Sequence, residues 1–438
     1  MKDILTYVLD NFSLYYDCDT SLITYGNPAG KINISKDAGT EFFDENHDID
    51  TSRIVWKSWM GKSIPFLFAQ YEPKDIISEH HGQITINVDI IASAFYFLSG
   101  WNENFIPKDE LGRVEFGQSI MAKLELIELP VVNYYFDILK TAIEKIAPIS
   151  KRNLWETHDT AVVLTHDIDT CQSGWLEDSF HVLKKGKILT VIKLVLQRLF
   201  GKDSWFNLKD ISKLEKHHNA KSSFYFLPQK GRKGKQKNAD YNIGSHTVKK
   251  LISTLDKAGH DIGIHGSFGT HEDADQYRAD MARIPVRDIK GNRFHYLMWD
   301  NEHSIPVLEK NGIVYDSTLG FSEHIGFRRG TCYPFYLYDF KNKKISGVLE
   351  IPMNVMDVSL KKPRYMGLPK SEILPRIEKL MLEVSKFNGV LTILWHNNYF
   401  SHYKYAGWAE IYEQILEMAK EQNATMIDGY TVYERIVK

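Results

Sequence analysis

The string Leu164-Thr165-His166-Asp167-Ile168-Asp169-Thr170 runs an apolar strand directly into two carboxylates separated by one residue. Strand alternation puts Asp167 and Asp169 on the same face. Two acids aimed at one point repel unless a cation or a proton lies between them, so the pair suggests one metal ligand and one general base. The competing reading is a turn with a helix-capping aspartate. A second string, Gly263-Ile264-His265-Gly266-Ser267-Phe268-Gly269-Thr270-His271-Glu272-Asp273, ends a strand on His265 before a glycine-containing loop. Imidazole in that place is a natural ligand for zinc or a similar divalent ion, although a lone strand-end histidine more often serves as a structural hydrogen-bonder. A third strand, residues 390–394, ends at Trp395-His396-Asn397-Asn398, where His396 could donate a proton to a leaving group.

These groups need elements to hold them. From residue 161 onward, short apolar strands alternate with amphipathic helices. Strands are expected at 161–165, 222–227, 261–264, 348–352, 390–394 and 424–427, with helices at 208–218, 247–258, 273–284, 304–311, 369–387 and 408–422. Such a pattern predicts parallel strands joined by crossover helices and closed, or nearly closed, into a barrel whose chemistry collects at the C-terminal strand ends. Residues 1–150 read as a smaller mixed α/β domain, with a strand at 83–88, helices at 89–98 and 131–146, and no catalytic constellation. Pro148-Ile149-Ser150-Lys151-Arg152-Asn153 is polar and breaks the preceding helix, which puts the boundary there and leaves 151–438 for the barrel.

Composition narrows the function classes. With 43% hydrophobic and 25% charged residues, 23 Tyr, 23 Phe and 9 Trp, the chain reads as folded and aromatic-rich, not as a disordered scaffold. A net charge of -2 gives no general attraction to phosphate backbones, so no nucleic-acid partner is expected. Cys18, Cys171 and Cys332 form no CxxC pair and leave an odd count, which argues against a disulfide framework and a thiolate zinc site. The first residues lack an apolar signal core and a cleavage site, and a cytoplasmic location is expected. Two basic stretches stand apart. Residues 188–200, accompanied by Lys184, Lys185, Lys187, Lys193 and Arg198, would suit a helix on an anionic membrane, although a surface helix packed on its own domain is the commoner outcome. Residues 230–237 read as a mobile solvated loop able to close over an anionic substrate.

Taken in order, the strings resemble the motifs of the polysaccharide deacetylase family, the NodB-like carbohydrate esterases of family 4, over residues 160–438. Thr165-His166-Asp167-Ile168-Asp169 is similar to the first motif, and the resemblance implies Asp167 as base and Asp169 as metal ligand. Residues 219–227 are similar to the second barrel strand. His265-Gly266-Ser267 resembles the second motif, implying His265 as metal ligand. Arg293-Phe294-His295-Tyr296 resembles the third, implying that Arg293 orients the base and that the Tyr296 backbone N–H helps to hold an oxyanion. Tyr315-Asp316-Ser317 resembles the fourth, with Asp316 raising the pKa of His396. Leu394-Trp395-His396-Asn397 resembles the fifth, with His396 as general acid. Tyr296, Trp395 and His295 are expected to contact substrate. Residues 1–150 resemble an uncharacterised domain that precedes some bacterial deacetylases, most clearly through residues 92–101.

The chain departs from the family pattern at two points. Gly269 stands where the second motif carries another metal-binding histidine, and Asn397 stands where an aspartate is common. His271 is the first candidate to complete the ligand set, with His295 or water as alternatives. The resemblance thus implies a distorted (β/α) barrel of six to seven strands and a divalent ion, zinc first, with cobalt, manganese or nickel as alternatives. The implied reaction removes N-acetyl groups from an amino sugar or glycan, expected in cell-surface polysaccharide biosynthesis and leaving acetate and a free amine. The gap at Gly269 prompts the alternative of a catalytically impaired barrel that binds glycan. A barrel glycosidase would need two carboxylates flanking a sugar bond at roughly 5 to 10 Å, and Asp167 and Asp169 stand too close for that.

Overall fold

A computed structural model describes every residue except Met1, Lys2, Thr40, Glu41 and Asn46. Its C-terminal two-thirds builds a ten-stranded sheet: β1 (Thr160–Ile168), β2 (Ser223–Phe226), β3 (Asp261–Gly266), β4 (Gly291–Phe294), β5 (Tyr315–Asp316), β6 (Phe335–Asp339), β7 (Lys344–Glu350), β8 (Met353–Met356), β9 (Val390–Leu394) and β10 (Ala424–Ile427). The order across the sheet is β6-β7-β5-β4-β3-β2-β1-β9-β8, and β10 pairs with the first half of β1. Only the β6–β7 pair is antiparallel. All nine residues of β1 are buried, as expected for a parallel strand covered by helices on one face and barrel interior on the other.

The chain itself curls this sheet. β7 and β8 lie near opposite ends of the ladder, yet only Ile351 and Pro352 separate them. Three Cα steps reach at most about 11 Å, so the two ends must approach one another. The architecture is therefore α/β, a curled and nearly closed sheet with an N-terminal addition. Its strand number exceeds the expected six to seven for a physical reason. β4 and β5 are four and two residues long and rich in polar groups, and β8 follows β7 across a proline. Pairing to neighbours, not local periodicity, makes them strands.

The N-terminal region contributes α1 (Asp3–Ser13), α2 (Ile90–Ser99), α3 (Val131–Glu144), a four-stranded sheet and a hairpin, Val55–Trp59 with Lys62–Phe66. Every residue of α2 is buried, which suits a helix that is apolar all round and packs against α1, α3 and β6. Asp89 caps it by accepting from the Ala92 N–H at 2.8 Å, and Gly100 ends it in the left-handed region at φ 68°. A Cβ on Gly100 would fall on the Arg329 guanidinium, so only glycine admits that arginine to its pairing with Glu103 at 3.0 Å. Arg328 binds the same carboxylate through two contacts of 2.8 and 2.9 Å. The boundary segment is itself a strand: Ile149–Lys151 pairs with Tyr16–Cys18, and one continuous hydrophobic core runs through both regions.

Two helices precede the first crossover helix: α4 (Gly174–Leu183) and α5 (Ile188–Leu199) lie between β1 and α6 (Leu208–His217). Among the described residues no helix is long and apolar enough to cross a membrane.

Candidate metal centre and acid–base pair

Alternation along β1 sorts its side chains. His166 points into the helical layer, where its Nε2 meets Glu215 at 2.7 Å and its Nδ1 meets the Trp395 carbonyl at 2.6 Å. Thr165 and Asp167 point inward instead. Both receive Nη1 of Arg293, at 2.8 Å on Thr165 Oγ1 and 3.0 Å on Asp167 Oδ1. Arg293 is fully buried on β4 and also donates from Nε to the Ser317 carbonyl at 2.7 Å and from Nη2 to Ser317 Oγ at 2.8 Å. Its guanidinium lies 4.8 Å from the Tyr225 ring centroid, a cation–π contact that the planar group makes while its edge donates to Asp167, Thr165 and Ser317. Gly263 leaves room for that ring, since a Cβ there would lie 2.4 Å from Tyr225 Cδ1.

Asp169, His265 and His295 converge just beyond the strand ends, the only such donor group among the described residues. Asp169 Oδ1 lies 3.3 Å from His265 Nε2 and 3.5 Å from His295 Nδ1, and those two nitrogens are 3.0 Å apart. The opposite nitrogen of each ring faces a backbone carbonyl: His265 Nδ1 meets Arg293 O at 2.8 Å, and His295 Nε2 meets Lys237 O at 2.9 Å. A carbonyl only accepts, so each ring keeps its proton there and turns a lone pair toward the shared point. Asp169 Oδ1 is buried and without a hydrogen-bond donor. Three lone pairs facing one point need a cation or an extra proton among them. Two imidazoles and a carboxylate form a three-ligand set typical of divalent zinc, with their outer nitrogens oriented by backbone acceptors, so the residues fit such an ion.

The electrostatics agree with that crowding. Burial works against ionisation of Asp169, yet His295, His265 and His396 around it hold its carboxyl well below the usual carboxylate range. Burial pushes His295 down to about 4, only partly offset by Asp169. Burial opposes a proton on His265 as well, but Asp167 and Asp169 outweigh it and raise that ring.

His396, at the end of β9, faces Asp169 Oδ2 across 4.0 Å through Nε2. Its Nδ1 contacts Asp357 Oδ1 at 2.8 Å, and Asp357 also accepts the His396 backbone N–H. Burial disfavours the charged ring, but the Asp357 carboxylate prevails and pushes His396 up to about 9. A ring held in this way carries its proton at neutral pH. Asp357 follows β8 directly, and its only trace in the sequence is a carboxylate after a short apolar run, Met353-Asn354-Val355-Met356.

Three expected site residues lie apart from this group. His271 is not in the donor group; its Nε2 lies 3.1 Å from Glu272 and its ring packs edge-on against Phe294. Phe294 ends β4 and His295 opens the turn after it, and the two rings have different partners, His271 for Phe294 and His265 for His295. Asp316 does not touch His396; it accepts from Asn292 and twice from Thr318, beside Glu350, whose carboxyl burial and Asp316 drive well above its usual range. Trp395 is fully buried against Tyr399, Trp408 and Tyr412, with no face for a substrate. The basic stretch is solvent-exposed, as expected, but it is paired. Arg232–Lys233 pairs with Gln236–Lys237 in a small hairpin, and the Lys237 carbonyl takes both His295 Nε2 and the Tyr296 hydroxyl, the latter at 3.1 Å.

Tyr296 and Leu297 both adopt left-handed backbone, with φ of 61° and 56°, strain of the kind held at functional sites. Arg113 of the N-terminal region steadies this turn by donating to the Tyr296 carbonyl at 3.3 Å and to Ser322 Oγ at 2.8 Å. A cavity of about 180 Å³ opens over the site, with Asp167, Asp169, His265, His295 and His396 in its floor and Arg113, Lys362 and Tyr365 at its rim. A larger cavity of about 580 Å³, lined in part by Trp101, Phe340 and Lys343, lies elsewhere and gathers no comparable donors among the described residues.

Three solved structures illustrate what the chain is similar to. An allantoinase, Puue, aligns at 12% identity with a TM-score of 0.43, covering 64% of this chain and 91% of its own. A protein described as a probable polysaccharide deacetylase from Pseudomonas aeruginosa PAO1 aligns at 13% identity with a TM-score of 0.41 over the same shares. A family 4 carbohydrate esterase from Streptomyces lividans, solved with acetate, aligns at 10% identity and 0.31, covering 61% of this chain and 92% of its own. No curated protein matches the chain significantly. Residues 5–148 match one family model, described as a family of unknown function, DUF7033.

Proposed function

We propose that the chain is a metal-dependent hydrolase that removes N-acetyl groups from an amino sugar or glycan. The observation that carries this reading is the set of three lone-pair donors, Asp169, His265 and His295, flanked by an arginine-held carboxylate on one side and a carboxylate-held imidazole on the other. A divalent ion there, zinc or else cobalt, manganese or nickel, would polarise a carbonyl and make water a better nucleophile at neutral pH.

The chain's own residues supply the rest. Asp167, kept in place by Arg293, takes the proton of the attacking water. Tyr296 offers its backbone N–H to the negative charge that develops on the carbonyl oxygen. His396, kept protonated by Asp357, delivers its Nε2 proton to the departing amine, so that acetate and a free amino sugar leave. The vacancy at Gly269, which prompts the glycan-binding alternative, is offset by His295, whose Nδ1 stands 3.0 Å from His265 Nε2.

The test is metal analysis of the purified chain, followed by acetate release from N-acetylated chito-oligosaccharides before and after chelation. One bound divalent ion, with turnover lost on chelation and restored by zinc, is expected. Asp167→Asn should retain the ion and lose turnover. Absence of acetate release from the zinc-loaded chain would remove the hydrolase reading, and full turnover in Asp167→Asn or in the chelated protein would remove the role of Asp167 or the metal dependence.

A further inference from the structure

The excursion between β1 and α6 exposes an apolar face that the barrel does not need. Ten of the fifteen large hydrophobic side chains exposed among the described residues fall on α4, α5 and the turns after them. Leu189 is 83% exposed, Phe200 82% and Leu199 75%, and Leu194 is the one buried residue of α5. Leu189, Ile192, Leu196, Leu199 and Phe200 recur at helical spacing, so they form one stripe. Leu176, Phe180 and Leu183 on α4 repeat the pattern.

Charge selects the occupant of this face. Residues 183–202 hold Lys184, Lys185, Lys187, Lys193, Arg198 and Lys202 and no acidic residue. A second copy seated by two-fold symmetry would bring like charge onto like charge. An anionic bilayer meets both features, accepting the apolar stripe and attracting the lysines. At 12 residues α5 is about 18 Å long, too short to span a bilayer and suited to lie in its plane.

The hairpin is also anchored at the barrel mouth. Asp178 of α4 accepts from Ser204 Oγ at 2.6 Å and Ser401 Oγ at 2.8 Å, while Asn397, next to His396, donates to the Thr170 carbonyl at 2.8 Å and the Trp205 carbonyl at 2.7 Å.

We infer that the α4–α5 hairpin is a docking surface for an anionic lipid bilayer, with its apolar stripe in the interfacial plane and its lysines among the headgroups. Docking holds the barrel mouth next to the membrane, and the claim is independent of the reaction catalysed.

The test is sedimentation of the full chain with phosphatidylglycerol-containing vesicles against pure phosphatidylcholine vesicles. Binding to the first, weakened by salt, is expected. The pair Leu189→Glu and Phe200→Glu should weaken it at least about ten-fold, and Lys184→Gln, Lys185→Gln and Lys187→Gln together roughly a hundred-fold, with unchanged circular dichroism melts. Absence of anionic-vesicle binding by the parent, or binding by both variants equal to the parent's, overturns the inference. So does sedimentation equilibrium showing a dimer that the same variants dissociate, which would give the face to a second copy.

Discussion

Replacing Asp357 with asparagine keeps the size of the side chain and removes the charge that holds a proton on His396. The ring's proton is held from the ordinary 6.5 up to about 9 despite burial, through a 2.8 Å contact. At about 1.4 kcal/mol per decade, that hold is worth roughly 3 kcal/mol. A group whose folded pKa is raised stabilises fully below its unfolded pKa and loses that share as pH passes the folded one. Asp169 and Asp167 contribute to the same shift and remain in the variant, so the Asp357→Asn protein should be less stable than the parent by up to about 3 kcal/mol at pH 6, with the gap narrowing as pH rises through 9. Urea unfolding of chelated protein across that range measures the gap, and proton NMR of the His396 ring reads the pKa directly. Because a positioned general acid is typically worth about 10²–10⁴ in rate, acetate release at neutral pH should fall at least about a hundred-fold. A pH-independent stability gap, or a ring that titrates at the same pH in both proteins, would refute the assignment of Asp357.

His295→Ala should weaken zinc binding more than about a hundred-fold, while His271→Ala should leave stoichiometric zinc, as read by metal analysis after dialysis; the reverse result would return the third ligand to His271. Arg293→Met strands Asp167 in the interior and should cost about 3–5 kcal/mol in urea unfolding. Adding Asp167→Asn should recover part of that loss, and strict additivity would show that the two do not interact. Gly263→Ala forces a methyl against Tyr225 and should cost about 1–3 kcal/mol, a penalty that Tyr225→Leu relieves if the clash is with that ring.

The strand ends at Asp167, His265 and His396 are legible in the sequence because a parallel strand buried on both faces reads as an unbroken apolar run, so its polar terminus stands out. Asp357 follows the same rule, but Pro352 separates β8 from β7, and the four residues of β8 look like the tail of the previous strand. Choosing between His271 and His295 needs the partners that each ring meets in space, and residue counting does not supply them. Asp316 stands on a two-residue strand whose neighbours, Asn292 and Thr318, claim its oxygens. The curl of the sheet was expected from alternating strands and helices. Its strand number was not, since β4, β5 and β8 owe their conformation to partners far away in the chain and β6 to its antiparallel partner β7.

The carbonyl of Lys237 fixes which nitrogen of His295 stays bare, and a carbonyl belongs to every residue type. Replacing the side chains of Arg232, Lys233, Lys235, Gln236 or Lys237 leaves that acceptor in place, and an alanine scan of those positions would miss its role. Shortening the hairpin by one residue would swing the acceptor away and let the imidazole flip its tautomer. Loop length, not loop composition, is the heritable dial on this ligand.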